Sequence, residues 1–193
     1  MKYIFLGYLA LYWTIWLHEV GHSYMYKKYG CKKESFIKVK VPFTLFFSTP
    51  EPIDSEKAKS LNKKQIFYIS IAGVMVNIVL GIICGLSLII FPITSEANLI
   101  LLYSFAVFNF TEAATYLVIN NLSLASDMKG VADYNPKLRI PAFFIGLASI
   151  ASIVYLLYTA PLTISKPIAI IAVLIALSMS VGRIIFEKKQ AAN

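Results

Sequence analysis

The sequence predicts an all-α membrane protein of about five transmembrane helices. The first observation is five apolar stretches, at about residues 3–26, 66–91, 97–120, 140–160 and 167–186. Each is near the roughly 20 residues needed to cross the hydrocarbon core of a bilayer. The second is composition: 58% of the 193 residues are hydrophobic and the mean hydropathy is +0.70, values of a polytopic membrane chain rather than a soluble domain. The third is the distribution of basic residues. If the five stretches alternate across the bilayer, 16 of the 18 Lys and Arg residues fall on one side, leaving Lys2 and Lys166 on the other. The positive-inside rule then places the N-terminus outside and the C-terminus in the cytoplasm, in a bacterial or archaeal cell membrane. A net charge of +8 in a soluble protein would suggest nucleic acid. Here the charge is accounted for by topology and membrane lipids, and no nucleic-acid partner is expected. The chain reads as one membrane domain over 1–193, with a functional core at about 1–135 and packing helices at about 140–186.

The first helix carries the most informative residues. The only two histidines, His18 and His22, stand four apart with Glu19 between them. On a helix, positions i and i+4 share a face, so both imidazoles reach one metal ion from the same side. Glu19 is placed to take a proton from a water that the metal activates. Ionisable groups inside a membrane are expensive and point to function. The bland alternative is a helix-end cluster meeting headgroups. Lys27 and Lys28 mark the cytoplasmic interface, which puts the histidines roughly 6–14 Å below it. Gly21 leaves room beside them for a neighbouring helix. The run after Lys2 lacks a small-x-small cleavage site, so it is read as a retained helix and not a signal peptide.

Residues 27–65 form a basic loop too short for a separate domain. Within it, residues 36–42 alternate apolar and basic side chains, and residues 43–47 are apolar and aromatic. The pattern fits two readings: a strand pair or re-entrant segment beside the site, or an amphipathic segment resting on headgroups. In the second helix Gly73, Asn77, Gly81 and Gly85 fall on one face at spacings of four. Asn77 is either a polar group gluing helices together or one facing the site or substrate. The third helix carries Glu112 and ends at Asn120 and Asn121. A carboxylate within a span is either protonated and hydrogen-bonded or placed behind a metal ligand. The fourth and fifth helices have few polar groups and read as packing elements. Cys31 and Cys84 lie in different compartments, so no disulfide is expected.

Three blocks, in order, resemble the site-2 protease family of intramembrane zinc metalloproteases. They are His18-Glu19-Val20-Gly21-His22; the segment from Ile71 to Asn77, with Val74 where the family has proline; and Asn120 or Asn121 through Asp127. In the third block the family proline is absent and Asn and Asp are seven or six apart, not eight. The resemblance implies that His18, His22 and Asp127 bind Zn2+, with Glu112 and Asp133 as alternative third ligands. It implies that Glu19 is the catalytic base, that Asn77, Asn120 and Asn121 hold substrate, and that Glu112 stands behind the ligands. It further implies a metalloendopeptidase that cuts a membrane-embedded protein or peptide precursor, in a minimal form without a soluble substrate-binding domain. The rival readings are a transporter that relays protons or binds ions at the His/Glu cluster, and a non-catalytic relative. Substrate identity and oligomeric state are not legible.

Overall fold

The computed structural model describes residues 2–45 and 48–191, with side chains as far as residue 180. Phe46 and Phe47, and the side chains of Arg183, Lys188 and Lys189 on which part of the charge argument rests, lie outside the described residues. Five long helices account for most of the chain: α1 (Lys2–Lys28), α3 (Lys63–Ile90), α4 (Glu96–Ala114), α7 (Arg139–Thr159) and α8 (Leu162–Ala191). Three short helices join them: α2 (Ser55–Lys59), α5 (Asn121–Ser123) and α6 (Asp127–Tyr134).

The expected helices are all present. α3 begins where Asn62 and Gln65 form a reciprocal capping box, each side chain bonding the other's backbone N–H. α4 begins at Ser95, whose hydroxyl accepts from the Asn98 amide. α8 starts at Leu162, five residues before the expected position. The Pro161 carbonyl accepts from the Ile164 and Ser165 amides, so the first turn forms ahead of Pro167, which lies inside the helix. Four spans are long and apolar enough to cross a membrane, at Lys63–Ile90, Glu96–Ser123, Pro136–Thr159 and Leu162–Ser180. α1 is as long as these at 27 residues, but its polar residues dilute its hydropathy. The protein is an integral, multi-pass membrane protein.

One helix is central. Of the α4 span window, 78% is buried inside the protein, against 22–33% for the other three spans. α1, α3, α7 and α8 all pack on it. The central helix can therefore hold polar groups that lipid would not tolerate. Asn109 of α4 is fully buried and donates to the Thr14 hydroxyl of α1 at 3.2 Å. α1 meets α3 at Gly21, where an added Cβ would lie 2.9 Å from the Ala72 carbonyl oxygen; the close approach expected of Gly21 is made there.

The third span is not α-helical throughout. Residues Thr115–Asn120 form a π-helix, a wider turn rare outside functional sites. It is followed by α5, and α5 ends at Leu124 in the left-handed conformation, φ 53°. The loop between α1 and α2 contains no strand among the described residues. A single antiparallel bridge joins Lys40 and Thr49, closed by N–H···O bonds of 3.0 and 2.9 Å.

Candidate metal centre

His18 and His22 lie on the α1 face turned into the bundle, 2% and 6% exposed. Their Nε2 atoms are 2.9 Å apart. The backs of both rings are held. The His22 Nδ1–H donates to the Ile69 carbonyl of α3 at 2.7 Å, which leaves the His22 Nε2 lone pair free. His18 Nδ1 meets the Asn77 side-chain amide of α3 at 3.1 Å. The Asn77 atom at that distance is Nδ2, and its Oδ1 is buried with no hydrogen-bond partner. Turning the amide over would set Oδ1 as the acceptor for a His18 Nδ1–H, the tautomer that leaves Nε2 for a metal.

The third group arrives from α6. Asp127 Oδ2 lies 3.3 Å from His22 Nε2 and 3.6 Å from His18 Nε2. Its position follows from three local features. Ser126, just before it, has φ 52°, a conformation that L-residues enter only with strain, and this turns the start of α6 toward the histidines. Met128 and Val131, 0% and 1% exposed, bury α6 in a cluster with Val74, Tyr116 and Leu117. Gly130 then allows contact with α3, since an added Cβ would lie 2.2 Å from Ser70 Oγ. Burial alone would raise the Asp127 carboxyl. When the facing His22 and His18 imidazoles are protonated, their positive charge outweighs burial and holds the group well below the usual carboxylate range. A cation bound in place of those protons acts in the same direction.

The donor set fits a tetrahedral zinc. Zinc bonds of about 2.0–2.1 Å put neighbouring ligand atoms about 3.3–3.4 Å apart. The three separations here, 2.9, 3.3 and 3.6 Å, bracket that spacing. Two imidazole nitrogens and a carboxylate oxygen facing one another in a buried site are stabilised by positive charge among them, which either a metal ion or protons on the imidazoles provides. Among the described residues, His18, His22 and Asp127 form the one group of three such side chains able to hold a metal. Glu112 is buried on α4 but is outside that group, and Asp133 is exposed on α6, six residues beyond Asp127.

Glu19 follows His18 on α1 and is 7% exposed. Asn120 ends the π-helix fully buried, with neither amide atom hydrogen-bonded. Asn121 is committed elsewhere: its Nδ2 donates to the Leu117 and Arg139 carbonyls, and its Oδ1 accepts from Arg139 Nε. That amide fastens the end of the third span to the start of α7 and has no N–H left over.

Two residues of the site were not singled out as such in the sequence. Tyr116 stacks on His18, with ring centroids 4.8 Å apart and planes at 17°. It is carried there by the π-helix, which is backed by α7 at Gly146, where a Cβ would lie 2.7 Å from Val118 Cγ2. Within an apolar run a tyrosine gives no signal; its only marker is that it follows Glu112 by one turn. Gly73 belongs to the packing stripe of α3, yet it faces the two candidate ligand histidines: an added Cβ would lie 2.5 Å from His22 Nε2 and 2.7 Å from His18 Cε1.

No curated protein and no solved structure matches the chain. The family model described as peptidase family M50 matches residues 6–184, which takes in all three ligand-bearing positions and every long helix. The chain therefore belongs to peptidase family M50, the site-2 protease family of membrane metallopeptidases.

Proposed function

We propose that this protein is a zinc-dependent endopeptidase that hydrolyses a peptide bond within or near the membrane-spanning segment of a membrane protein or peptide precursor. The observation that carries the reading is the convergence of His18, His22 and Asp127 beside Glu19 inside a bundle of membrane-spanning helices. His18, His22 and Asp127 hold the ion. Bound there, zinc supplies Lewis acidity, acidifying a water and polarising the scissile carbonyl.

The rest of the chemistry belongs to the chain. Ile69 and Asn77 keep the two imidazoles facing inward, so both Nε2 atoms stay in place through turnover. Glu19 takes the proton from the attacking water and returns it to the leaving amine. Asn120 offers a free amide, a donor and an acceptor, to an unwound substrate backbone. Unwinding is required because a helical substrate hides its carbonyls in internal hydrogen bonds. Substrates with Gly, Asn or Pro near the cut are therefore favoured. The basic asymmetry supports a site near the cytoplasmic face, with the N-terminus outside.

Glu19→Gln tests the reading. The substituted protein should fold and retain zinc, yet leave a membrane substrate uncut, because the base is lost and the ligands are not. Mass spectrometry of membrane peptides from cells with wild type or Glu19→Gln reads the outcome. A peptide profile that does not differ, alongside altered ion flux, would instead establish a transporter.

A further inference from the structure

Lys32 is a buried lysine whose ammonium is satisfied by backbone carbonyls. It lies in the loop after α1 and is 4% exposed, and no ion pair to it is found among the described residues. Its Nζ donates instead to three backbone carbonyls: Lys38 at 2.7 Å, Pro50 at 2.7 Å and Pro52 at 3.2 Å. An ammonium has three N–H groups and no acceptor, so three carbonyls satisfy it. These carbonyls come from both arms of one loop. Lys38 is on the outgoing arm; Pro50 and Pro52 are on the returning arm. Among the described residues, two backbone pairings join the two sides of the loop: the Lys40–Thr49 bridge and, at its base, the Asp54 N–H donating to the Cys31 carbonyl at 2.7 Å.

The loop beyond this neck is long and weakly packed. Phe36 meets Tyr24 of α1, rings 5.6 Å apart, and Phe43 meets Tyr8, rings 5.3 Å apart. Tyr24 and Tyr8 are about 24 Å apart along α1, and the seven residues from Phe36 to Phe43 cover about 24 Å when extended. The outgoing arm therefore runs back along α1 toward its N-terminal half, where the Tyr8 hydroxyl donates to the Phe43 carbonyl at 2.8 Å. Phe36, Ile37 and Phe43 are exposed on the protein surface, Phe43 at 81%, so packing against the protein itself holds little of this arm. Tyr8 and Glu19 are eleven residues apart, three turns of helix, and share one face of α1.

We propose that Lys32 is a positioning residue: its ammonium latches the Lys38 side of the loop to the Pro50 and Pro52 side and so holds Phe43 on the face of α1 that carries Glu19. The three hydrogen bonds of this ammonium go to loop carbonyls, so losing it frees the loop without moving α1. The latch stands apart from the protease reading. Its effect on cleavage rests on that reading, in that a substrate segment reaching Glu19 along this face passes the loop.

The test uses full-length protein in lipid nanodiscs. In the wild type, an amine-acetylating reagent should label Lys32 at least about 10-fold more slowly than exposed Lys33, as a group reached only by local opening. Equal labelling would overturn the proposal. Lys32→Met should speed hydrogen exchange of the Lys40 and Thr49 amides by about 10-fold or more, with α3 and α4 amides and zinc content unchanged. Lys32→Arg, which keeps the charge and donors, should restore slow exchange to within about three-fold of wild type. Wild-type exchange in Lys32→Met would refute the latch. With a single-span peptide carrying a Gly-Pro break as probe, Lys32→Met should raise KM by about 10-fold and leave kcat within about two-fold. A fall in kcat at unchanged KM, with the exchange result intact, would keep the latch and overturn its bearing on substrate.

Discussion

Gly73 of α3 faces His22 so closely that a methyl group in place of its hydrogen would lie 2.5 Å from the Nε2 atom that points at the metal position. Real Cβ atoms do not approach that near, and His18 Cε1 at 2.7 Å blocks the other direction. The glycine is thus a shape requirement of the metal centre. Gly73→Ala should push the imidazoles apart and reduce bound zinc from about one per chain to nearly none. Gly85→Ala is the control on the same helix face, because its Cβ would meet only the Phe110 ring at 4.0 Å, and it should keep its zinc. Metal analysis of both purified proteins gives the answer.

The third ligand can be ranked directly. Asp127→Ala should abolish zinc retention and cleavage together. Asp133→Ala should retain both within about two-fold, since an exposed carboxylate away from the imidazoles contributes little. Glu112→Gln should retain zinc and lower activity by about 10–100-fold, the usual cost of changing a group behind the ligands. Zinc retained in Asp127→Ala and lost in Glu112→Gln would transfer the ligand role to Glu112.

Tyr116 is expected to act on His18 through its ring and not its hydroxyl. Tyr116→Phe should keep the stack, with zinc affinity within about three-fold of wild type. Tyr116→Leu should weaken zinc binding by about 10–100-fold, in the range found when supports of a ligand histidine are removed. The visible spectrum of the cobalt-substituted protein separates ligand geometry from folding: it should be unchanged in the Phe variant and altered in the Leu variant.

Membrane orientation calls for thiols at exposed positions. Cys31 is unsuitable because it is fully buried and would resist labelling from either side. A cysteine at Glu56, whose side chain is 84% exposed, should be unreactive toward an impermeant maleimide in intact cells, whereas one at exposed Ser95 should react. The reverse pattern would place the metal centre near the outer face.

By itself the sequence determined the class of the protein and half of its centre. Continuously apolar runs of membrane length dictate helices, because such a run satisfies its backbone within itself only as a helix, whereas the strands of a membrane barrel are shorter and alternate apolar and polar. Two histidines four apart on one of them share a face by helical geometry alone. These are local relations, and local relations are written in spacing. The meeting of Asp127 with the two histidines is a relation between elements more than a hundred residues apart. Spacing around Asp127 was ambiguous because its placement depends on the strained turn at Ser126, the burial of Met128 and the absence of a side chain at Gly130. Tertiary packing likewise decided what the asparagines do. Asn77 stands behind His18, Asn121 fastens α7, and Asn120 alone keeps a free amide, though the sequence offered all three for the same role. A side-chain amide bonds whatever donor or acceptor the neighbouring helices present, and which neighbour that is depends on how the helices pack around α4.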